Sequence, residues 1–306
     1  MAQFKDIIGH NHVISYIDNA ITQNKVSHAY ILNGARGSGK KMLASTFAMA
    51  LLCDEKKSEP CLQCHSCRQA MGGNHPDIIR VTHEKPGSIS VDEIREQVNN
   101  DVVIKPYQGP YKIYIINEAD LMTTQAQNAL LPTIQSRCVM LKLRHIKDSL
   151  IKKYLMETMQ IPDYQADVCT AFAQGNLGRA IMLAESKHFN EIRDDAIQLL
   201  KYIKEMEIPE IAKAIKHIGV YKLDINDYLD IIMIWYRDVL LYKATKDMEV
   251  VVFKDQITSI RDQAKLSSYE GLELILDSLE TAKTRLNSNV NFDLVMELLL
   301  LTIKEN

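Results

Sequence analysis

The chain has 306 residues, 46% of them apolar and 25% charged, the balance of a soluble globular protein long enough for two or three domains. Its formal net charge of -3 excludes a long-range basic field for nucleic acid, though not a local patch. The opening MAQFKDIIGH lacks the apolar run of a signal peptide, and no run of about 18 apolar residues is present, so a cytoplasmic protein with no membrane span is expected.

In chain order, His28 to Asn33 reads as a short strand entering a Gly-rich turn, and Lys40 to Cys53 as a helix with Leu43, Phe47, Ala50 and Leu51 on one face. Ile78 to Val81 is a second short strand. Val91 to Val103 has helical spacing, with Ser90 as N-cap and Glu93 three residues on. Lys112 to Ile116 reads as a buried strand, Thr123 to Leu131 as a helix, and Val139 to Leu143 as a last strand. This alternation predicts an α/β domain with a mainly parallel sheet and helices on both faces. Beyond His145 the strand signals fade. Asp148 to Met159, Asp163 to Gln174 and Gly178 to Ser186 read as short helices, with Gly175-Asn176 as a C-cap signal. Longer helices follow: Ile225 to Lys246 with the lone Trp235, Ser267 to Arg285, and Phe292 to Ile303 with Phe292, Val295, Met296, Leu299 and Leu300 as its stripe. Three domains are expected, at residues 1–145, 146–187 and 188–306.

Gly34-Ala35-Arg36-Gly37-Ser38-Gly39-Lys40 lies between a predicted strand and a predicted helix, the context in which G-x-x-x-x-G-K is a phosphate loop. Gly34, Gly37 and Gly39 let the backbone wrap a polyphosphate, the helix N-terminus adds positive charge, and Lys40 reaches the terminal phosphates. The next position carries a magnesium-binding hydroxyl in such loops; here it is Lys41, which repels a cation. The strand KIYII runs into Asn117-Glu118-Ala119-Asp120, with neutral Asn117 where an Asp would hold magnesium. Glu118 and Asp120 therefore read as a solvated strand end.

Cys53, Cys61, Cys64 and Cys67 form a C-x7-C-x2-C-x2-C pattern in a polar stretch. Four thiolates suit tetrahedral zinc and leave no place for a water, so a structural zinc insert is expected. His65 and His75 are alternative ligands, and Cys138 and Cys169 read as ordinary buried thiols.

FKDIIGH, HAYILNGARGSGK, the four-cysteine insert, HPDIIRV at residues 75–81, the Asn117 to Asp120 strand end, NALL at 128–131 and SRC at 136–138 occur in one order. Together they resemble the bacterial DNA polymerase III clamp-loader family, an AAA+ family, over about half of the chain. The resemblance implies a RecA-like AAA+ domain with a zinc insert, a small helical lid and a C-terminal all-α collar that holds a hetero-oligomeric ring. It is nearer to the delta-prime subunits than to the gamma/tau motors, which carry the hydroxyl after the loop lysine and the Walker-B Asp. The motors also carry a lid arginine in a G-S-L-R-D-A-L segment; here Gly178 stands at its position with Arg179 beside it. The chain is thus expected to lack ATPase activity of its own. Its loop either holds ADP or ATP without catalytic magnesium or is an inherited scaffold closed by side chains. The resemblance further implies that Arg137 acts in trans at the ATP site of a neighbouring subunit, with gamma/tau and delta as partners. The sliding clamp and primed DNA are reached through the assembly. Two rival readings are an active gamma/tau-like motor and a zinc-stabilised adaptor outside replication.

One departure stands out. In the family roughly 20 or more residues, including a strand, separate the NALL helix from the PTIQSRC segment, whereas here Leu131 runs directly into Pro132. Either the strand is deleted, or the chain as written leaves a segment out. The second is the expectation, because deleting a buried strand exposes backbone groups that need partners.

Overall fold

A computed structural model describes residues 3–83, 87–130, 138–288 and 290–306. The chain divides into two compact units, one of residues 1–150 with 176–178 and one of 151–175 with 179–306.

The first unit is α/β. Helix α1 (Asn11–Thr22) precedes strand β1 (Ala29–Asn33), and the phosphate loop leads into α2 (Lys40–Leu51). Then come α3 (His65–Met71), β2 (Ile78–Val81), α4 (Val91–Ile94), β3 (Ile113–Ile116), α5 (Thr124–Ala129) and β4 (Cys138–Lys142). The capping box at α4 is present: Glu93 N donates to Ser90 Oγ at 3.3 Å, and Ser90 N donates to Glu93 Oε2 at 2.6 Å. Helix α4 does not reach Val103 as expected. It passes into a wide π-type turn over Arg95–Asn99, and Val103 and Ile104 beyond it are exposed, with no core to hold a further helical turn.

The strands are parallel, as the alternation predicts, but they form two separate pairs. β1 runs beside β4 from Ala29↔Cys138 to Asn33↔Lys142, and β2 beside β3 from Ile78↔Ile113 to Val81↔Ile116. Among the described residues no strand joins the pairs. Leu131 is followed directly by Pro132 in the sequence, and the two readings of that junction, a deleted strand or an omitted segment, both stand. The junction lies outside the described residues.

Each pair has its own core. Tyr30, Leu32, Val139 and Leu141 pack under Val13 and Ile17 of α1 and Leu43 and Phe47 of α2. Tyr30 meets Phe47 edge-on at 5.1 Å. The other face of this pair is not covered as predicted: register partners Ile31 and Met140 are 44% and 52% exposed. Around β2 and β3, Val81, Tyr114 and Ile116 pack with Ile94, Val98, Met122 and Ala126.

The second unit is helical. Its axis is α11 (Ile225–Thr245); the preceding helices are α6 (Asp148–Glu157), α7 (Asp163–Ala173), α8 (Leu177–Glu185), α9 (Lys187–Tyr202) and α10 (Ile208–Ile218). After it come α12 (Ile257–Leu266), α13 (Tyr269–Asn287) and α14 (Phe292–Glu305). Tyr228, Ile232, Trp235, Tyr236 and Val239 of α11 are fully buried. A polar clasp ties three helices there: Trp235 Nε1 donates to Gln263 Oε1 at 2.8 Å, and Gln263 Nε2 donates to Leu200 O at 2.7 Å. The predicted stripe of α14 is buried, with Ile303 added. No helix among the described residues is long and apolar enough to cross a membrane.

Candidate metal centre and phosphate loop

The cysteine pattern closes on itself. Cys53 leaves the end of α2, Cys61 follows buried Pro60, Cys64 caps α3 and Cys67 lies on that helix. The four sulfurs lie within 4.8 Å of one another, with Cys53 to Cys64 and Cys61 to Cys67 each 4.0 Å. Four zinc–sulfur bonds of 2.3 Å in a tetrahedron set the sulfurs ~3.8 Å apart, so the cluster fits a metal such as zinc. Backbone amides hold the sulfurs in place. Cys64 N donates to Cys61 Sγ and Cys67 N to Cys64 Sγ, both at 3.3 Å, and Cys61 N to Cys53 Sγ at 3.5 Å. The amides of Cys64 and Gln63 pull the Cys61 thiol down to about 7, whereas burial pushes Cys64 and Cys67 up. A cation among the sulfurs would favour the thiolate form that burial disfavours at Cys64 and Cys67. All six cysteines are free of disulfides. Cys169 is buried and pushed up to about 11 by that burial, and Cys138 is half-buried, so both are ordinary thiols.

The alternative histidine ligands are placed otherwise. His65 is exposed and lies outside the sulfur cluster. Buried His75 is used on both nitrogens: Asp77 N donates to its Nδ1 at 3.1 Å, so Nε2 carries the proton and meets Ser66 Oγ at 2.9 Å. Ser66 Oγ in turn donates to Leu52 O at 2.6 Å. This relay joins β2, α3 and the end of α2, and burial keeps His75 below the usual histidine range. Asp77, fully buried, accepts from the amides of Tyr107 at 2.5 Å and of Gln108 and Gly109 at 2.8 Å. The HPD of the sequence is therefore a scaffold motif, a role the linear pattern did not reveal.

The phosphate loop follows β1 and caps α2. Gly37 and Gly39 sit at φ 84° and 87°, a region in which a side chain is strained. Five successive carbonyls of the loop each accept a hydrogen bond, two from its own lysine and three from outside. Lys40 Nζ donates to Gly34 O at 2.6 Å and to Ala35 O at 2.9 Å. Asn176 Nδ2 donates to Arg36 O at 2.6 Å and Gly178 N to Gly37 O at 3.2 Å. His10 Nε2 donates to Ser38 O at 3.1 Å, and burial holds this histidine low and neutral. The N-cap Gly39 has no side chain to bond the first turn of α2, leaving its amides for an anion. Lys41 is exposed, as are Glu118 and Asp120 at the end of β3. Arg179 faces Asp227 at 3.8 Å within the helical unit. Arg137 lies outside the described residues.

These features define an α/β protein with a phosphate-loop motif, a four-cysteine cluster able to hold a metal, and a long helical part. The family described as "DNA polymerase III, delta subunit" matches residues 9–131, and "DNA polymerase III, delta subunit, C terminal" matches 198–305. The chain belongs to the clamp-loader family of DNA polymerase III subunits. The DNA polymerase III subunit delta' of Bacillus subtilis is 27% identical over 329 aligned positions, covering 96% of this chain and 95% of its own. Those positions outnumber the 306 residues here, so this chain is gapped against it. The subunit tau of B. subtilis is 26% identical over 83% of this chain, which spans only 53% of tau. Among solved structures, a gamma subunit-related protein of Thermotoga maritima aligns over 95% of this chain and 98% of its own at 15% identity, with a TM-score of 0.40.

Proposed function

We propose that the chain is a delta-prime-type clamp-loader subunit that does not hydrolyse ATP and acts on a neighbour's reaction. The observation that carries this is the phosphate loop without magnesium ligands. Lys41 replaces the hydroxyl residue and is exposed, and Asn117 directly follows β3 where a carboxylate would be needed. Phosphoryl transfer depends on the metal to neutralise developing charge, so the loop can hold a polyphosphate through Gly34, Gly37, Gly39 and Lys40 without turning it over. Gly178 at the lid-arginine position, and Arg179 committed to Asp227, support the same reading. Near-complete coverage of a delta' relative and half coverage of tau also favour it.

In this proposal Cys53, Cys61, Cys64 and Cys67 hold one structural zinc, residues 146–187 act as a lid and residues 188–306 as a collar. Arg137, a permanently charged guanidinium, meets charge developing at the ATP site of an adjacent gamma/tau subunit. Delta, the sliding clamp and primed DNA are the other components it works with, in the cytoplasm. The test is reconstitution of the loader with Arg137→Ala. The expected outcome is loss of clamp loading and a drop of about 10³-fold in turnover at the one site facing Arg137. Undiminished DNA-stimulated turnover and loading would remove the trans role. The rival gamma/tau-like motor is tested on the isolated chain. Magnesium-dependent ATP hydrolysis that disappears in Lys40→Ala would replace the present reading.

A further inference from the structure

The carbonyl side of the phosphate loop is held by a segment remote from it in sequence. Asn176, 140 residues after Arg36, donates its side-chain amide to Arg36 O, and the Gly178 amide donates to Gly37 O. Residues 176–178 belong to the same compact unit as the loop. The approach is close enough to require glycine: a Cβ built on Gly178 would lie 2.9 Å from Gly37 Cα and nearer still to the Gly37 oxygen. A long side chain at this position, such as the lid arginine of the motors, has no room in this arrangement. With Lys40 on Gly34 and Ala35 and with His10 on Ser38, no carbonyl from Gly34 to Ser38 is left free to turn inward.

We propose that Asn176 and Gly178 are positioning residues that latch the phosphate loop from its carbonyl side, fixing its phosphate-receiving shape without nucleotide, magnesium or a lid arginine. This rests on the reading of the loop as a non-hydrolysing phosphate loop. The protein's own amides supply the order that a bound nucleotide supplies elsewhere. The Arg36–Gly37 bond, exposed yet pinned at both carbonyls, is the place where the latch can be read.

Limited trypsin digestion of the full-length, zinc-loaded chain tests it, by the rate of cleavage after Arg36 compared with that after exposed Lys246 in the helical unit. Cleavage of a native loop tracks how often it opens. Wild type should be cut slowly after Arg36 with or without magnesium-free ADP. Asn176→Ala and Gly178→Ala should each be cut roughly 5- to 10-fold faster there, the effect of losing one hydrogen bond or more, with cleavage after Lys246 unchanged. Wild-type rates after Arg36 in both variants would overturn the latch, as would equal acceleration at both sites, the mark of general destabilisation. Asn176→Ala, which introduces no Cβ clash, decides the matter if Gly178→Ala fails to fold. ADP separates the two ideas. Fast cleavage of the variants that ADP does not slow would sink the phosphate-binding reading and leave the latch standing; slowing by ADP supports both.

Discussion

At the scale of single residues, buried polar groups do more of the positioning than the motifs that first attract notice. Asp77 is an example. Burial alone would raise its pKa, but the amides of Tyr107, Gly109 and Gln108 together outweigh that and hold the carboxyl below the ordinary range. A folded-state value below the unfolded one gives stability that is present above the unfolded pKa, near 3.8, and lost as pH falls through the folded value. Asp77→Asn should therefore cost about 2–3 kcal/mol at pH 7, because an amide group then faces backbone donors with hydrogens of its own. The gap between variant and wild type should shrink below pH 4. Urea unfolding of both proteins between pH 7 and pH 3 checks this, and a gap that stays constant over that range would show that the charge plays no part. His10 carries a parallel expectation. A neutral ring donating from Nε2 to Ser38 O and kept neutral by burial predicts that His10→Phe loosens the loop while leaving α1 in place. Faster tryptic cleavage after Arg36, with circular dichroism unchanged, is the result to look for.

At the scale of elements, what the sequence showed depended on how local the determining interaction is. The cysteine cluster was legible because two C-x2-C steps and one helix end suffice to bring four sulfurs together, and the amide-to-sulfur bonds that hold them span three to eight residues. Strand β2 and helices α2, α4 and α14 were legible from periodicity and caps within one residue or two of their starts. The end of α4 was not, since helical spacing through Val103 carries no information on whether a core exists to receive it. Helix α3 was missed because seven residues rich in polar groups give no stripe; Cys64 as its cap was the available signal. The clamps on the phosphate loop were invisible because their partners lie 28 and 140 residues away. The metal module yields the prediction at this scale. Purified protein should carry one equivalent of zinc, and Cys64→Ser should lose it, since that sulfur both ligates and caps α3. Losing the ion should also loosen the His75 to Leu52 relay that crosses α3. Elemental analysis with hydrogen exchange of residues 61–78 measures both. A full zinc complement in Cys64→Ser would move the metal elsewhere.

At the scale of the whole molecule, the two units differ in how completely each satisfies itself. Among the described residues the α/β unit carries two separate strand pairs and an exposed apolar pair at Ile31 and Met140. The helical unit is densely buried along α11, yet its last helix has two apolar faces. Phe292, Val295, Met296, Leu299, Leu300 and Ile303 point inward, whereas Leu294 and Leu298, one turn apart, are 52% and 48% exposed. An apolar pair at i and i+4 on the solvent side contributes little to the monomer and suits a helix that meets another subunit. If the collar proposal holds, Leu294→Glu with Leu298→Glu should leave the unfolding free energy of the isolated chain within about 0.5 kcal/mol of wild type. The same pair should weaken co-assembly with gamma/tau and delta roughly 100-fold, the effect of charging the centre of an interface. Met296→Ala should do the reverse, costing about 2–5 kcal/mol in the monomer and acting on assembly only through the fraction unfolded. Chemical denaturation and size-exclusion reconstitution, run on the same three preparations, separate the two faces. Normal assembly of the double glutamate variant would place the subunit contact on another helix.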